Sequence, residues 1–415
     1  MVDLNEMGQK AKAAERVLGI AGEQQKNKAL SLIAQGIYEQ VDTVLKANEK
    51  DIETARQMGI AETMIDRLRL DEERVKAIAR AVLDIMRLPD PIGEIEWGRT
   101  MENGMTIRKV TVPLGVIGMI YESRPNVTVD AASLCLKAGN TVILRGGKEA
   151  IHSNTAFANI MRQAIQKAEL PADCVQLITD TTRESSTALM QLTDYLDVLI
   201  PRGGAGLIKA VVANSKVPVI ETGTGNCHVY VDQFADLQMA ARIVDNAKTS
   251  RPSVCNACES LLVHESVADT FLPMVKQLLD RSNVEIRGCE QTKAILGDCV
   301  VAATDADYAT EFLDYVISVK VVDSIEEAID HITQYSSGHS ECIVTENLPN
   351  AEKFLNEVDA AAVYVNASTR FTDGGVFGFG AEIGISTQKV HARGPMGLKQ
   401  LTSVKYIIVG NGQVR

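Results

Sequence analysis

The chain has 415 residues, 46% hydrophobic and 23% charged, enough to bury a sizeable core and long enough for two or three domains. A net charge of −12 argues against nucleic acid as a partner, although a local basic pocket can still hold an anionic ligand. The longest nearly unbroken apolar run, VPLGVIGMIY at 112–121, falls short of the roughly 18 residues a membrane span needs, and MVDLNEMGQKAKAAERV has no signal-peptide core, so no membrane partner and a cytoplasmic location are expected.

The region before residue 96 reads as mostly helical. Residues 71–87, DEERVKAIARAVLDIMR, place Val75, Ile78, Ala79, Val82, Leu83 and Met86 on one stripe, with Asp71 as N-cap and Pro89 closing the segment. EWGRTMENGMTIRKVTVP at 96–113 then sets an Asn103-Gly104 turn between extended-looking flanks, which predicts a hairpin. From 110 onward β-rich segments alternate with helical ones: VTVPLGVIGMI, NVTVDAASLCLKAG, NTVILRG, HSNTAFANIMRQAIQKAEL, CVQLI, TRESSTALMQLT, DVLI, GAGLIKAVVANS and VPVI. That order predicts successive βαβ units, hence an α/β fold with a parallel sheet covered on both faces. A second alternation begins near 228 and lasts almost to the C-terminus.

A nucleotide site in such a sheet is expected beyond the carboxyl ends of the strands, where helix N-termini offer free N–H groups to phosphate. IPRGGAGLI at 200–208 puts Gly203, Gly204 and Gly206 between strand and helix without the spacing of a dinucleotide fingerprint, so a phosphate loop and an ordinary tight βα turn both stand open. SRPSVCNACESLLVH at 250–264 holds Cys255 and Cys258. The other six cysteines (135, 174, 227, 289, 299, 342) are scattered, without a secreted framework's density, so reduced thiols are expected. There is no second C-x2-C and no H-x3-5-H, which disfavours zinc, and no metal is expected. Asn256-Ala257 between the cysteines is not a thioredoxin-type turn. What remains is a pair of ordinary buried thiols, or one nucleophile with a bystander.

VPLGVIGMI, AGNTVILRGGKEA, VIETGTGN and the Cys255 segment occur in the order and spacing of the aldehyde dehydrogenase superfamily, which the chain resembles over essentially its whole length. Glu221 precedes Cys255 by 34 residues, matching that superfamily's glutamate-to-nucleophile spacing. YESRPNVTVDAASLCLKAGN, ILRGGKEA, NAKTSRPSVCNACESLLVH and GPMGLKQLTSVKYIIVG look specifically like the branch that reduces L-glutamyl 5-phosphate in proline biosynthesis. The resemblance implies an aldehyde dehydrogenase-like α/β fold in three parts. These are an NADP-binding domain over 1–96 and 116–224, a catalytic domain over 225–396, and a small oligomerisation flap pairing 97–115 with 397–415. The superfamily builds dimers by covering such a flap edge, so a homo-oligomer, dimer or dimer of dimers, is implied.

By the same resemblance Cys255 is the nucleophile and Cys258 the bystander. Thiolate attack on the acyl phosphate expels phosphate and leaves a thioester, which NADPH reduces on the way to L-glutamate 5-semialdehyde. The Cys255 N–H and Asn126 are implied as oxyanion donors, with a helix-cap role for Asn126 as the alternative. Three roles stand open for Glu221: protonating the departing adduct, tuning Cys255, or holding its loop. Where NAD-using relatives carry a glutamate, LRGGKEA has Lys148, three after Arg145, which implies NADP(H); a solvated basic turn is the alternative. Glu311, in TEFLDYVISV, resembles the glutamate that bonds the nicotinamide ribose, and is otherwise an exposed helix-end carboxylate. Arg124, Arg251 and Arg370 suit the substrate's carboxylate and phosphate, individually unassigned, or are ordinary ion-pairing arginines. His228 and His264 read as structural or surface residues. The implied partners are the small-molecule substrate and the upstream glutamate kinase that makes it. Two rivals share the sequence features: a hydrolytic aldehyde dehydrogenase and a non-catalytic scaffold, the latter disfavoured by nucleophile, glutamate and glycine loop occurring together.

Overall fold

The computed structural model describes residues 3–60, 62–122 and 124–415. Five helices open the chain: α1 Leu4–Leu18, α2 Glu23–Glu39, α3 Val41–Gln57, α4 Glu62–Leu68 and α5 Glu72–Arg87. Asp71 caps α5 by accepting the Arg74 N–H at 2.7 Å. Val75, Ile78, Ala79 and Val82 are buried as expected, but Leu83 and Met86 are only half-buried and Ile85 takes the inner place. At 3.6 residues per turn, 78, 82 and 85 fall in line while 83 and 86 swing to the flanks.

The hairpin forms from β1 Ile95–Thr100 and β2 Thr106–Pro113, with Gly104 at φ 85° in its turn. VTVPLGVIGMI, one β-rich run in sequence, is two strands in two sheets: β2 ends at Pro113 and β3 Val116–Tyr121 begins after Gly115, whose φ is 124°. Then come α6 Pro125–Lys137, β4 Thr141–Arg145, α7 Ile151–Lys167, β5 Val175–Leu177, α8 Arg183–Met190, β6 Val198–Arg202 and α9 Ala205–Asn214. Their strands form a parallel sheet of order β5-β4-β3-β6. VPVI does not become a strand; it makes a single bridge, Leu199 to Val219, and Pro218 has no N–H to continue a ladder. The C-terminal strand Thr402–Val409 pairs antiparallel with β2, from Thr402 opposite Pro113 to Val409 opposite Thr106. This three-stranded sheet leaves Trp97, Tyr406 and Ile408 exposed. All these elements belong to one compact unit, whose first segment ends at Thr222 and which also takes in Gly378–Gly384 and Met396–Arg415.

A second unit comprises Gly223–Phe377 and Ile385–Pro395. It alternates β7 Cys227–Val231, α10 Leu237–Thr249, β8 Cys258–His264, α11 Glu265–Leu279, β9 Glu285–Gly288, α12 Glu290–Leu296, β10 Val301–Ala302, α13 Asp305–Tyr308, β11 Val316–Val322, α14 Ile325–Tyr335, β12 Ser340–Val344, α15 Leu348–Glu357 and β13 Ala362–Val365. The seven strands are parallel, in the order β10-β9-β11-β8-β7-β12-β13. β7, β8 and β12 are buried end to end, as parallel strands covered on both faces must be. Alternate side chains feed two cores, one around Val229, Leu261 and Phe271, the other around Tyr230, Leu262 and Phe354. Among the described residues no helix is long and apolar enough to cross a membrane.

Candidate active site

In the second unit the amino ends of β7, β8 and β12 lie side by side. Cys255 is half-buried in the turn before β8, where the Ala257 N–H donates to the Val254 carbonyl at 3.1 Å. Gly225 packs directly against it: a Cβ there would lie 1.4 Å from the Cys255 carbonyl oxygen, so only glycine fits. The Cys227 thiol donates to that same oxygen at 3.2 Å. On the other side, buried Asn256 donates through Nδ2 to the carbonyls of Arg370 (3.2 Å) and Thr372 (2.9 Å), and its own carbonyl accepts the Thr369 hydroxyl at 2.8 Å. These bonds sew the 369–372 loop to the cysteine turn.

Arg370 is thereby held in electrostatic reach of both Cys255 and Arg251, and its Nε donates to the Ser250 hydroxyl at 3.2 Å. Burial, then the neighbouring Arg251, lower the Arg370 pKa from its ordinary value, while Cys255 and Asp373 act the other way. Arg251 is exposed. The Arg370 guanidinium beside a half-open thiol, with Arg251 in its own reach, suits an anion. Cys258 is different: it is fully buried, donates to the Ser260 carbonyl at 3.3 Å, and burial pushes its thiol far up. Glu311 is half-buried, not an exposed helix-end carboxylate, since α13 ends at Tyr308; it accepts the Gly225 N–H at 2.7 Å, and burial raises its pKa. His228 is buried against Glu341 at 3.0 Å, and His264 caps α11. Among the described residues no three His, Cys, Asp or Glu side chains cluster to hold a metal ion.

In the first unit the sequence candidates gather at the carboxyl ends of β3, β4 and β6. Arg145 closes β4 and donates to the main-chain carbonyls of Thr181 (2.8 Å), Thr182 (2.9 Å) and Gly146 (3.2 Å), so its guanidinium braces the turn. Lys148, in that turn, is exposed and has no ion pair among the described residues. Gly203 and Gly204 lead into α9. There the Gly204 N–H donates to a carboxylate oxygen of Glu122 at 3.0 Å, and a Cβ on Gly203 would lie 2.5 Å from the same oxygen. Sequence reasoning missed Glu122, whose only signal is that it follows β3, the strand beside β6.

Arg124 occupies the N-cap of α6, and its N–H donates to the Glu122 carbonyl at 2.7 Å. Asn126 is therefore not the cap. It is the second helical residue, after Pro125, and its Nδ2 donates to Asp130 at 2.8 Å. Burial pushes the Asp130 carboxyl up to about 6, opposed by that hydrogen bond and by Arg202. Glu221, half-buried, follows the Val219 bridge, and the next residue, Thr222, donates to the Pro201 carbonyl at 2.8 Å. The second unit thus brings Cys255, Arg251, Arg370 and Glu311 around one turn. The first unit carries Glu221 and gathers Arg124, Asn126, Arg145, Lys148, Gly203 and Gly204 along one sheet edge.

The model of the aldehyde dehydrogenase family matches residues 4–297 and 301–407. The gamma-glutamyl phosphate reductase of Clostridium perfringens is 59% identical over 408 residues, 98% of each chain. The crystal structure of gamma-glutamyl phosphate reductase from Thermotoga maritima, 50% identical, superimposes with a TM-score of 0.97 over 100% of both chains. An acetylating aldehyde dehydrogenase from Geobacillus thermoglucosidasius, 19% identical, shares the fold at a TM-score of 0.70, covering 99% of this chain and 97% of its own.

Proposed function

The chain belongs to the aldehyde dehydrogenase family, and from that premise we propose that it reduces L-glutamyl 5-phosphate to L-glutamate 5-semialdehyde and phosphate through a thioester on Cys255. The observation that carries the chemistry is the half-open Cys255 turn with Arg370 beside it and Arg251 in reach of that guanidinium. The thiolate sulfur attacks the acyl carbon, the C–S bond forms, and the bond to the phosphate oxygen breaks. The two guanidiniums suit the departing phosphate and the substrate's carboxylate, and a phosphate leaving group spares the enzyme a water-activating base. The Cys255 N–H and Asn126 are the proposed donors to the oxyanion. Glu221 then serves to hold or tune the site, without activating water.

NADP(H), when bound, supplies the hydride that converts the thioester to a thiohemiacetal. The first unit's sheet edge fits such an anionic cofactor in two respects: the Gly204 N–H already takes a carboxylate oxygen, and Lys148 is a solvent-facing cation without a partner among the described residues. Lys148 would hold the 2′-phosphate, Gly203 and Gly204 the diphosphate at the start of α9, and Glu311 a ribose hydroxyl, with Arg145 bracing the turn. Collapse of the Cys255 adduct releases the semialdehyde and restores the thiolate.

On this reading the first unit is the cofactor domain, the second the catalytic domain, and the sheet of β1, β2 and Thr402–Val409 an oligomerisation flap. The protein then works as a homo-oligomer in the cytoplasm, supplied by the kinase that makes its substrate. The deciding assay runs the reaction backwards. NADP-dependent oxidation of glutamate semialdehyde should require and saturate with inorganic phosphate, and arsenate should substitute. Full-rate oxidation in phosphate-free buffer, with glutamate as product, would make Glu221 a hydrolytic base and overturn the reading.

A further inference from the structure

Lys248 of α10 and Glu259 of β8 form an ion pair in which neither side chain is exposed. Burying two charges is expensive unless every remaining polar atom is engaged. Here Glu259 Oε2 takes the Lys248 ammonium at 2.5 Å, and Oε1 takes the Leu313 main-chain N–H at 3.1 Å. Leu313 sits at φ 55°, a left-handed conformation that a side chain with Cβ disfavours by about 1–2 kcal/mol, so the segment is held there by its surroundings.

The same segment is gripped elsewhere. Asn226 Nδ2 donates to the Tyr308 carbonyl at 2.7 Å, and Glu311 accepts the Gly225 N–H at 2.7 Å. Gly225 in turn abuts the Cys255 carbonyl. The chain from Tyr308 to Leu313 is therefore clamped at three points, and the buried pair supplies the one at its far end.

We infer that Lys248 and Glu259 are a positioning pair, which fixes Leu313 so that the Glu311 carboxylate stays on Gly225 and the Cys255 turn keeps its place. The inference rests on the reading of Cys255 as nucleophile. Lys248 holds one carboxylate oxygen and leaves the other as a full acceptor. A glutamine at 259 has one acceptor oxygen for the two donors, the Lys248 ammonium and the Leu313 N–H, and would face its NH2 against one of them, so the test needs both positions changed.

Two double variants compare a position 259 that offers Leu313 an acceptor with one that does not. Lys248→Met/Glu259→Gln keeps a carbonyl oxygen, while Lys248→Met/Glu259→Leu has none. Per Cys255 titrated by alkylation, the Leu double should lose about ten- to a hundredfold in kcat with a much smaller change in KM, while the Gln double stays within about threefold of the parent. Amide exchange at Gly225 and Leu313 should quicken in the Leu double alone. Equal kcat and equal exchange in the two doubles would overturn the proposal, as would failure of every acceptor-less variant, Glu259→Met included, to fold, since the bond would then serve only the core. Should the parent enzyme oxidise semialdehyde without phosphate, the reductase reading falls, and the exchange comparison still decides the clamp.

Discussion

At the scale of single residues, Cys255 and Cys258 are three positions apart yet in different environments. Cys255 is half-buried near the Arg370 guanidinium, and Cys258 is sealed at the start of β8. Cys255→Ala should abolish turnover with an unchanged melting curve, because no thioester can form, whereas Cys258→Ala should keep most activity and lose about 1 kcal/mol or somewhat more of stability. Equal loss of turnover in both variants would sink the assignment. The sequence alone left two thiols unresolved, since spacing says nothing of burial; only the superfamily resemblance separated them. Glu122 was invisible for a plainer reason. Its bond to Gly204 joins residues far apart in the chain, and no local pattern encodes which side chain will fill a helix N-terminus. Asn126 misled in the opposite way, because a polar residue next to proline resembles a cap, while Pro125 itself is the first helical position and the cap falls on Arg124.

At the scale of elements, two βα turns of the first unit carry the proposed cofactor contacts. The turn after β6 has an N–H engaged by Glu122, and the turn after β4 offers Lys148 outward with Arg145 bracing it from beneath. Lys148→Glu should therefore weaken NADPH far more than NADH. A charged hydrogen bond to phosphate is worth about 1.5–3 kcal/mol, so the preference ratio should fall on the order of tenfold to a hundredfold, read from the two kcat/KM values. An unchanged ratio would mean that another group holds the 2′-phosphate. Elements with strong periodicity were legible beforehand: α5 begins at its Asp71 cap, and the hairpin turns at Asn103-Gly104. Those decided by partners were not. VPVI has strand composition, but Pro218 and the sheet's pairing reduce it to a bridge, and VTVPLGVIGMI splits because Gly115 redirects the chain from one sheet to another.

At the scale of the whole molecule, acid stability should be governed in part by His331 of α14. The ring is buried among His228, Tyr308 and Tyr335, neither nitrogen has a hydrogen-bond partner among the described residues, and burial, with smaller contributions from His228 and Lys320, lowers its pKa to about 3. The unfolded chain, with an ordinary histidine near 6.5, binds the proton that the folded state refuses. The stabilisation is thus complete above about 6.5 and is lost as pH falls, by about 1.4 kcal/mol per unit until the folded pKa is reached. Between pH 7.5 and 5, denaturant melts of the parent should lose about 2 kcal/mol more than those of His331→Phe. Parallel losses would show that the ring takes up its proton in the folded protein as it does in the unfolded chain.

The pairing of β2 with Thr402–Val409 bears on the order in which the chain can be finished on the ribosome. The two partners are separated by residues 114–222 of the first unit and by the whole second unit, whose main segment, Gly223–Phe377, is contiguous and can close while the tail is still unmade. At about 5–20 residues per second, β2 emerges roughly 15–60 s before the strand that completes its edge. The unit begun first is therefore the last to be completed. Through that interval the hairpin carries an open backbone edge, and Arg108 and Lys109 within β2 are the kind of charged residues that keep such an edge from pairing with a neighbouring nascent chain.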